Sequence, residues 1–161
     1  MSQTLKLFLA ADHAGFDLKE AIKAHFVAAG YEVEDCGAFA KEPTDDYPDF
    51  VAKAAEHVAE APAHHRAFLF GYSGQGEAMV ANRFSGVRAA VYTGGGEDVV
   101  RLSREHNDAN VLSFGAHFVS TDEAIHLTDL WLTTPFSHED RHVRRIKKID
   151  ESTHRGLSSR Y

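Results

Sequence analysis

Residues 66–84 read RAFLFGYSGQGEAMVANRF, and this stretch decides the fold. An apolar run stops at Gly71, the backbone is freed again at Gly74 and Gly76, and Glu77 stands where a helical pattern begins. A run of strand length that ends on glycine and passes at once into a helix is the strand-to-helix half of a βαβ unit. The same unit recurs on either side. Upstream, LKLFLAA (5–11) predicts a buried strand, and DLKEAIKAHFVAAG predicts a helix with Leu18, Ile22, Phe26 and Val27 at helical spacing before a terminating Gly30. YEVEDC (31–36) predicts a second strand, and YPDFVAKAAEHVAEA (47–61) a helix with Pro48 in its first turn. Downstream, VRAAVY (87–92) and ANVLSFG (109–115) predict strands. Helices are predicted over about 97–106, over TDEAIHLTDLWL (121–132), and in a charged segment after Pro135, while EAMVANRF (77–84) predicts a short helix. Strands alternating with helices imply an α/β fold. The prediction is a single-domain, doubly wound, Rossmann-like sheet of five parallel strands with helices on both faces and a C-terminal helix, spanning 1–161. The polar residues 152–161 are expected either to form a flexible tail or to reach onto a partner subunit.

Composition bounds the function. The chain has 161 residues, 43% of them hydrophobic, which suits one domain with a sizeable core. Its formal charge of -7 disfavours nonspecific attraction to nucleic acid or an anionic membrane, so any anion site must come from a local cluster. Cys36 is the one cysteine and cannot form an internal disulfide. The first apolar run is short and broken by Asp12 and His13, unlike a signal peptide, and no run approaches the roughly 18 to 20 residues needed to span a bilayer. A cytoplasmic, reduced protein is expected, with no nucleic-acid or membrane partner.

In open parallel sheets, ligands bind where the carboxyl ends of strands lead into loops and helix N-termini. Here those places are Asp12–His13, the loop from Gly37 to Tyr47, the Gly71 to Glu77 loop, Thr93 to Gly96, and Gly115 to His117. The spacing G-x-x-G-x-G matches neither the dinucleotide fingerprint nor a P-loop, yet its amides can converge on an anion. Two readings of Glu77 fit the residues alone. One is a first-turn acid worth roughly 0.3 to 1 kcal/mol against the helix dipole. The other is a general base that removes a proton next to a carbonyl while the glycine amides hold the oxyanion. Asp12 and His13 read either as a cap for the following helix or as partners for sugar hydroxyls and phosphate. His106 and Asn107 close a predicted helix in REHNDAN (104–110), where a histidine also suits the dipole.

FSHEDRHVRRIKKID (136–150) holds five of the 17 Lys and Arg residues. Arg141 and Arg145, four apart on a helix, either clamp a phosphate or form a solvated face balanced by Glu139, Asp140 and Asp150. The same segment spells H-E-D-R-H, a literal match to the zinc-protease pattern, with Glu151 or His154 as conceivable third ligands. Polar middle residues and a place at the end of an α/β chain make coincidence the better explanation, so no metal ligand is expected. Of the eleven histidines, His25, His57, His64 and His65 fall on helix faces or surface loops and receive no role.

Taken in order, ADHAG after the first strand, DYP before the second helix, the G-x-S-G-x-G-E loop leading to AN(R), G(V)RAA, REHNDANVL, and RHVRRI after TTPFS resemble the ribose-5-phosphate isomerase type B family, which includes galactose-6-phosphate and allose-6-phosphate isomerases. The resemblance covers nearly the whole chain. It implies an aldose–ketose isomerase of sugar phosphates that works through an enediolate without metal or cofactor. The most expected pair is ribose 5-phosphate and ribulose 5-phosphate; another sugar phosphate (a hexose 6-phosphate or a tetrose phosphate) or a non-catalytic sugar-phosphate-binding role stays open. Family members use either a cysteine base at the start of the glycine loop or a glutamate at its end. Gly71 and Glu77 stand at those positions, which points to the glutamate branch. By the same matching, Asp12 and His13 would contact substrate. Tyr72, Ser73, Gly74, Gln75 and Gly76 would cradle the enediolate, with the Ser73 hydroxyl contributing. His106, with Asn107 beside it, would open the sugar ring, and Arg141 and Arg145 would hold the phosphate. A homodimer or dimer of dimers is implied, with sites at the interface drawing on both chains. Three departures stand out: His117 replaces a phosphate-binding arginine after SFGA, Tyr72 replaces a glycine, and Gly94 to Gly96 replace a more ordinary stretch.

Overall fold

The computed structural model describes residues 5–158. The elements run in strict alternation: β1 Lys6–Ala11, α1 Phe16–Ala28, β2 Glu32–Asp35, α2 Tyr47–Glu60, β3 His65–Gly71, α3 Gln75–Ala81, β4 Ala89–Tyr92, α4 Glu97–Glu105, β5 Val111–Gly115, then α5 Thr121–Thr133 and α6 Asp140–Ser158. All strand pairs are parallel, in the order β2-β1-β3-β5-β4. The predicted α/β sheet is therefore present, and its strands match the apolar runs to within a few residues. Helix α6 extends through the first part of the expected tail as far as Ser158, and residues 159–161 of it lie outside the described residues.

Alternation of side chains along each strand builds two cores. Leu7, Leu9 and Ala11 of β1 join Phe68 and Phe70 of β3 and Leu112 and Phe114 of β5 on one face, covered by Leu18, Ile22 and Phe26 of α1, Val100 of α4 and Trp131 of α5. Phe8, Ala10, Ala67, Leu69 and Val111 point the other way, against Val51, Ala54, Ala55 and Val58 of α2 and Ala81 of α3. Burial on both faces explains why these strands read as continuous apolar runs. Each large side chain so buried stabilises the fold by about 1.5 to 3 kcal/mol relative to its exposed state. Val27, grouped with the core positions of α1 by its spacing, is instead 60% exposed, since the stripe through Leu18, Ile22 and Phe26 already fills the face toward the sheet. Lys19, fully buried on α1, reaches the Asp35 carboxylate at 2.7 Å and ties that helix to the edge strand β2.

The strand order positions the site. From β1 the chain moves outward to β2 by way of α1 on one face, whereas β3 leads to β4 by way of α3 on the other. The connections thus diverge between β1 and β3, and the loops after these two strands flank a crevice at a topological switch point. Among the described residues no helix is long and apolar enough to cross a membrane.

Candidate active site

The loop after β3 enters α3 through Gly74, whose φ of +74° is the left-handed conformation that glycine adopts without strain. This turn starts α3 at Gln75, two residues ahead of Glu77, so Glu77 lies in the first helical turn facing inward rather than at the exposed helix tip. A Cβ at Gly74 would come within 2.8 Å of the Phe114 carbonyl carbon, so the loop lies directly on β5. Ser113, fully buried on β5, donates its hydroxyl to the Gly74 carbonyl at 2.6 Å. Ser73 is half-buried, and its Oγ accepts the Gln75 amide at 3.4 Å.

Glu77 is 4% exposed. Its carboxylate rests against the backbone of Gly71: a Cβ built at residue 71 would be 1.7 Å from Glu77 Oε1 and 2.2 Å from its carboxyl carbon. A side chain at position 71 and a carboxylate from position 77 therefore compete for one space, and the glycine is what admits the glutamate. Burial pushes the Glu77 carboxyl above the ordinary carboxylate range, its own backbone amide partly offsets this, and the negative field of Asp12 adds to the rise. The result is a buried carboxyl group that keeps its proton to higher pH than an exposed one, below the glycine loop at the end of a parallel strand, an environment that suits proton transfer.

Asp12 and His13 follow β1 directly. The buried Asp12 accepts the amides of Ala14 at 3.0 Å and Gly15 at 3.2 Å, so its side chain closes the turn before α1. His13 is held by Asp45, which receives its backbone amide at 3.0 Å and stands 2.5 Å from its Nδ1. The hydrogen bond that the His13 ring donates to the Asp45 carboxylate raises the His13 pKa above the usual histidine value. Asp45 attracted no attention in the sequence; its only signal was a carboxylate in the loop ahead of DYP. One ligand-type atom from each of Asp12, His13 and Asp45 lies within 4.8 Å of the others, a set that would also suit a cation.

Two of the departures from the family pattern touch each other. The Tyr72 ring stacks on His117, with centroids 4.4 Å apart and planes at 15°, and Phe118 meets both edge-on. Tyr72 and His117 are both exposed, forming an aromatic rim on the glycine loop. The third, Gly94 to Gly96, makes a turn of consecutive positive φ angles into α4.

The remaining candidates are elsewhere in the chain. Because β4 and β5 are parallel, α4 must run back along the sheet, and its last turn delivers His106 and Asn107 to the amino ends of the strands. With about 3.3 Å of rise per residue, strands of five to seven residues separate the two ends of the sheet by roughly 13 to 20 Å. Asp12, His13, Tyr72 to Glu77 and His117 stand at the carboxyl end; His106, Asn107 and Arg141 stand at the amino end, and Arg145 follows one turn further along α6. There the His106 ring stacks on His142, with centroids 4.2 Å apart and planes at 11°. His142 is buried, its Nε2 has no hydrogen-bond partner, and burial lowers its pKa. In the sequence His142 closes the zinc-protease pattern and also falls within RHVRRI. That pattern is not displayed on a helix: His138 precedes α6 with φ +56° and packs on Phe136. Arg141 is exposed and pairs with Glu139 at 2.8 Å, and Arg145 is exposed as well. A cavity of about 410 Å³, lined in part by Arg88, Ser103 and Asn107, opens at this amino end, away from Glu77.

Comparison with known proteins shows the family. A family model described as Ribose/Galactose Isomerase matches residues 7–149. The chain is 37% identical over 147 residues to a ribose-5-phosphate isomerase B of Mycolicibacterium paratuberculosis, covering 91% of each chain. It is 38% identical over 144 residues to that of Escherichia coli, covering 89% of this chain and 93% of the other. Among solved structures, a ribose-5-phosphate isomerase B from Mycoplasma genitalium with bound ribulose 5-phosphate superposes with a TM-score of 0.88 at 35% identity, over 93% of this chain and 97% of that one. With the family model covering nearly all of it and relatives aligned over most of their length, the chain belongs to the ribose/galactose isomerase family.

Proposed function

We propose that this protein interconverts an aldose phosphate and its ketose phosphate, with ribose 5-phosphate and ribulose 5-phosphate as the pair. The observation that carries this reading is the buried Glu77 carboxylate, lodged against Gly71 at the base of the glycine loop. Glu77 takes the proton from C2 of the open-chain aldose, the amides of residues 72–76 and the Ser73 hydroxyl stabilise the enediolate oxygen, and Glu77 returns the proton to C1 as the hydroxyl proton of O2 passes to O1. Asp12 and His13, across the crevice, hold substrate oxygens. His106 donates a proton to the ring oxygen to open the sugar, with Asn107 beside it, and Arg141 and Arg145 bind the phosphate.

In one chain these last four residues stand at the far end of the sheet from Glu77. The reading therefore includes a homodimer in which the amino-end cluster of one copy faces the glycine loop of the other. Exposed apolar side chains on α3, α4 and α6, namely Met79, Val99, Leu102 and Val143, supply surface for such a contact. The Tyr72–His117 stack favours a second reading in which the preferred sugar differs from ribose, since it replaces a flexible cationic arm with a flat aromatic wall.

The test is to follow aldose and ketose phosphates of four to six carbons by NMR in deuterated water. Glu77→Gln is expected to keep the fold and lose isomerisation and deuterium uptake by about two to four decades. Turnover at the wild-type level in that variant would remove the mechanism, and binding without exchange on every sugar would remove the enzyme.

A further inference from the structure

A second group of ligand-type side chains sits on the α2 face of the edge strand β2, apart from both ends of the active site. Successive residues of an extended chain point to opposite faces, so Glu34 and Cys36 share one face while Asp35, between them, points to α1 and is held by Lys19 and Lys23. The Cys36 amide bonds to the Leu9 carbonyl at 2.8 Å, which keeps this register one residue past the end of β2. Helix α2 lays His57 over the pair. A carboxylate oxygen of Glu34, the sulfur of Cys36 and a ring nitrogen of His57 all lie within 4.8 Å of one another, and Cys36 is 5% exposed.

The geometry suits a tetrahedral cation. His57 Nε2 stands 3.2 Å from Glu34 Oε1. That is close to the edge, about 3.3 Å, of a tetrahedron with metal bonds of about 2.0 to 2.1 Å. The imidazole is already oriented: it stacks on Phe8 with centroids 4.6 Å apart and planes at 12°, and its other nitrogen, Nδ1, faces Glu60 Oε2 at 3.4 Å. A carboxylate behind the non-ligating nitrogen is the support that metal-bound histidines usually have. Lys6 occupies the other Glu34 oxygen at 2.8 Å, which leaves Oε1 directed at His57. Thiolate, imidazole and carboxylate together favour zinc over the hard cations magnesium and calcium.

We propose that Glu34, Cys36 and His57 form a zinc site with three protein ligands and a fourth position open to water. On binding, the Cys36 thiol proton passes to solvent as the sulfur–zinc bond forms. The ion would pin the edge strand β2 to α2. The first turn of that helix carries Tyr47, whose ring packs within 2.6 Å of where a Cβ on Gly76 would lie, so the pinned helix also buttresses the glycine loop.

Metal-free protein is titrated with zinc by calorimetry and with cobalt by absorption spectroscopy. The expected result is one ion per chain and, for cobalt, a thiolate-to-metal charge-transfer band in the near ultraviolet. Cys36→Ser and His57→Ala should each abolish the band and weaken uptake by at least about a hundredfold, and Glu60→Gln should weaken it by about 10- to 100-fold. Circular dichroism and a cooperative melting transition establish that the variants are folded, and the half-buried His57 provides the test if Cys36→Ser fails to fold. Absence of stoichiometric uptake or of the thiolate band overturns the proposal. So does uptake that survives Cys36→Ser and disappears in Asp45→Ala, which would place the ion at Asp12, His13 and Asp45.

Discussion

At the scale of single residues, Gly71 and Glu77 form one unit: the absent side chain of the first is the binding pocket of the second. Gly71→Ala places a methyl group 1.7 Å from Glu77 Oε1, so the carboxylate must leave its position. The expected outcome is a folded protein whose kcat falls by about two to four decades, as for loss of a general base. Circular dichroism together with a coupled assay checks it, and retention of kcat would show that the carboxylate works from elsewhere. Burial also makes Glu77 a stability element with a definite sign. Its pKa is raised in the folded state, so between the ordinary carboxylate range and the raised value the folded protein binds more protons than the unfolded chain. Stability contributed by the protonated carboxyl is thus lost as pH rises through that window. Glu77→Gln escapes this loss. The melting temperature of the variant relative to wild type should climb as pH rises through the window and then level off, whereas a difference independent of pH would contradict the burial argument. Glu77 was legible in the sequence because an acid follows a glycine loop at a helix start. Its depth was not, because nothing in the local pattern tells whether a first-turn acid points to water or, as the left-handed Gly74 makes it, toward the strand.

At the scale of elements, the strands and helices were legible because the inner strands β1, β3 and β5 are buried on both faces and the helices α1, α2 and α5 that cover them carry apolar stripes. What escaped the sequence are single polar residues that fasten one element to another. Ser113 is the clearest case: within the apolar run ANVLSFG it reads as a tolerated small residue, yet its hydroxyl anchors the glycine loop to β5 through the Gly74 carbonyl. Ser113→Ala leaves that carbonyl without its partner. The expected cost is about 1 kcal/mol, or a fall in melting temperature of about 2 to 4 °C. Activity should suffer more than stability if the loop amides are the oxyanion donors proposed above, because a drift of an ångström misplaces them; kcat measured well below the melting transition should fall by roughly ten- to a hundredfold. A variant that melts lower with unchanged kcat would mean that the loop holds its shape without β5. Asp45 plays a similar part between the loops after β2 and β1, and a lone carboxylate ahead of DYP offered no pattern by which to single it out.

At the scale of the whole molecule, the parallel sheet separates what the motifs appeared to unite. A helix that follows one parallel strand must return to the starting edge before the next begins, so a residue ending α4 and a residue following β3 stand at opposite ends of the sheet. That separation was implicit in the alternation of strands and helices, but strand order and the faces taken by α1 and α3 had no local signature. If the active site joins Glu77 of one copy to His106 of another, the two functions can be lost in different chains and regained by mixing. Glu77→Gln and His106→Asn should each be nearly inactive alone. When equal amounts are unfolded together and refolded, about half of the dimers contain one chain of each kind, and each such dimer has one site carrying both substitutions and one carrying neither. Activity should then return to about a quarter of the wild-type value. Were both residues to serve a site within a single chain, every site in the mixture would keep one defect, and refolding the two variants together would recover nothing.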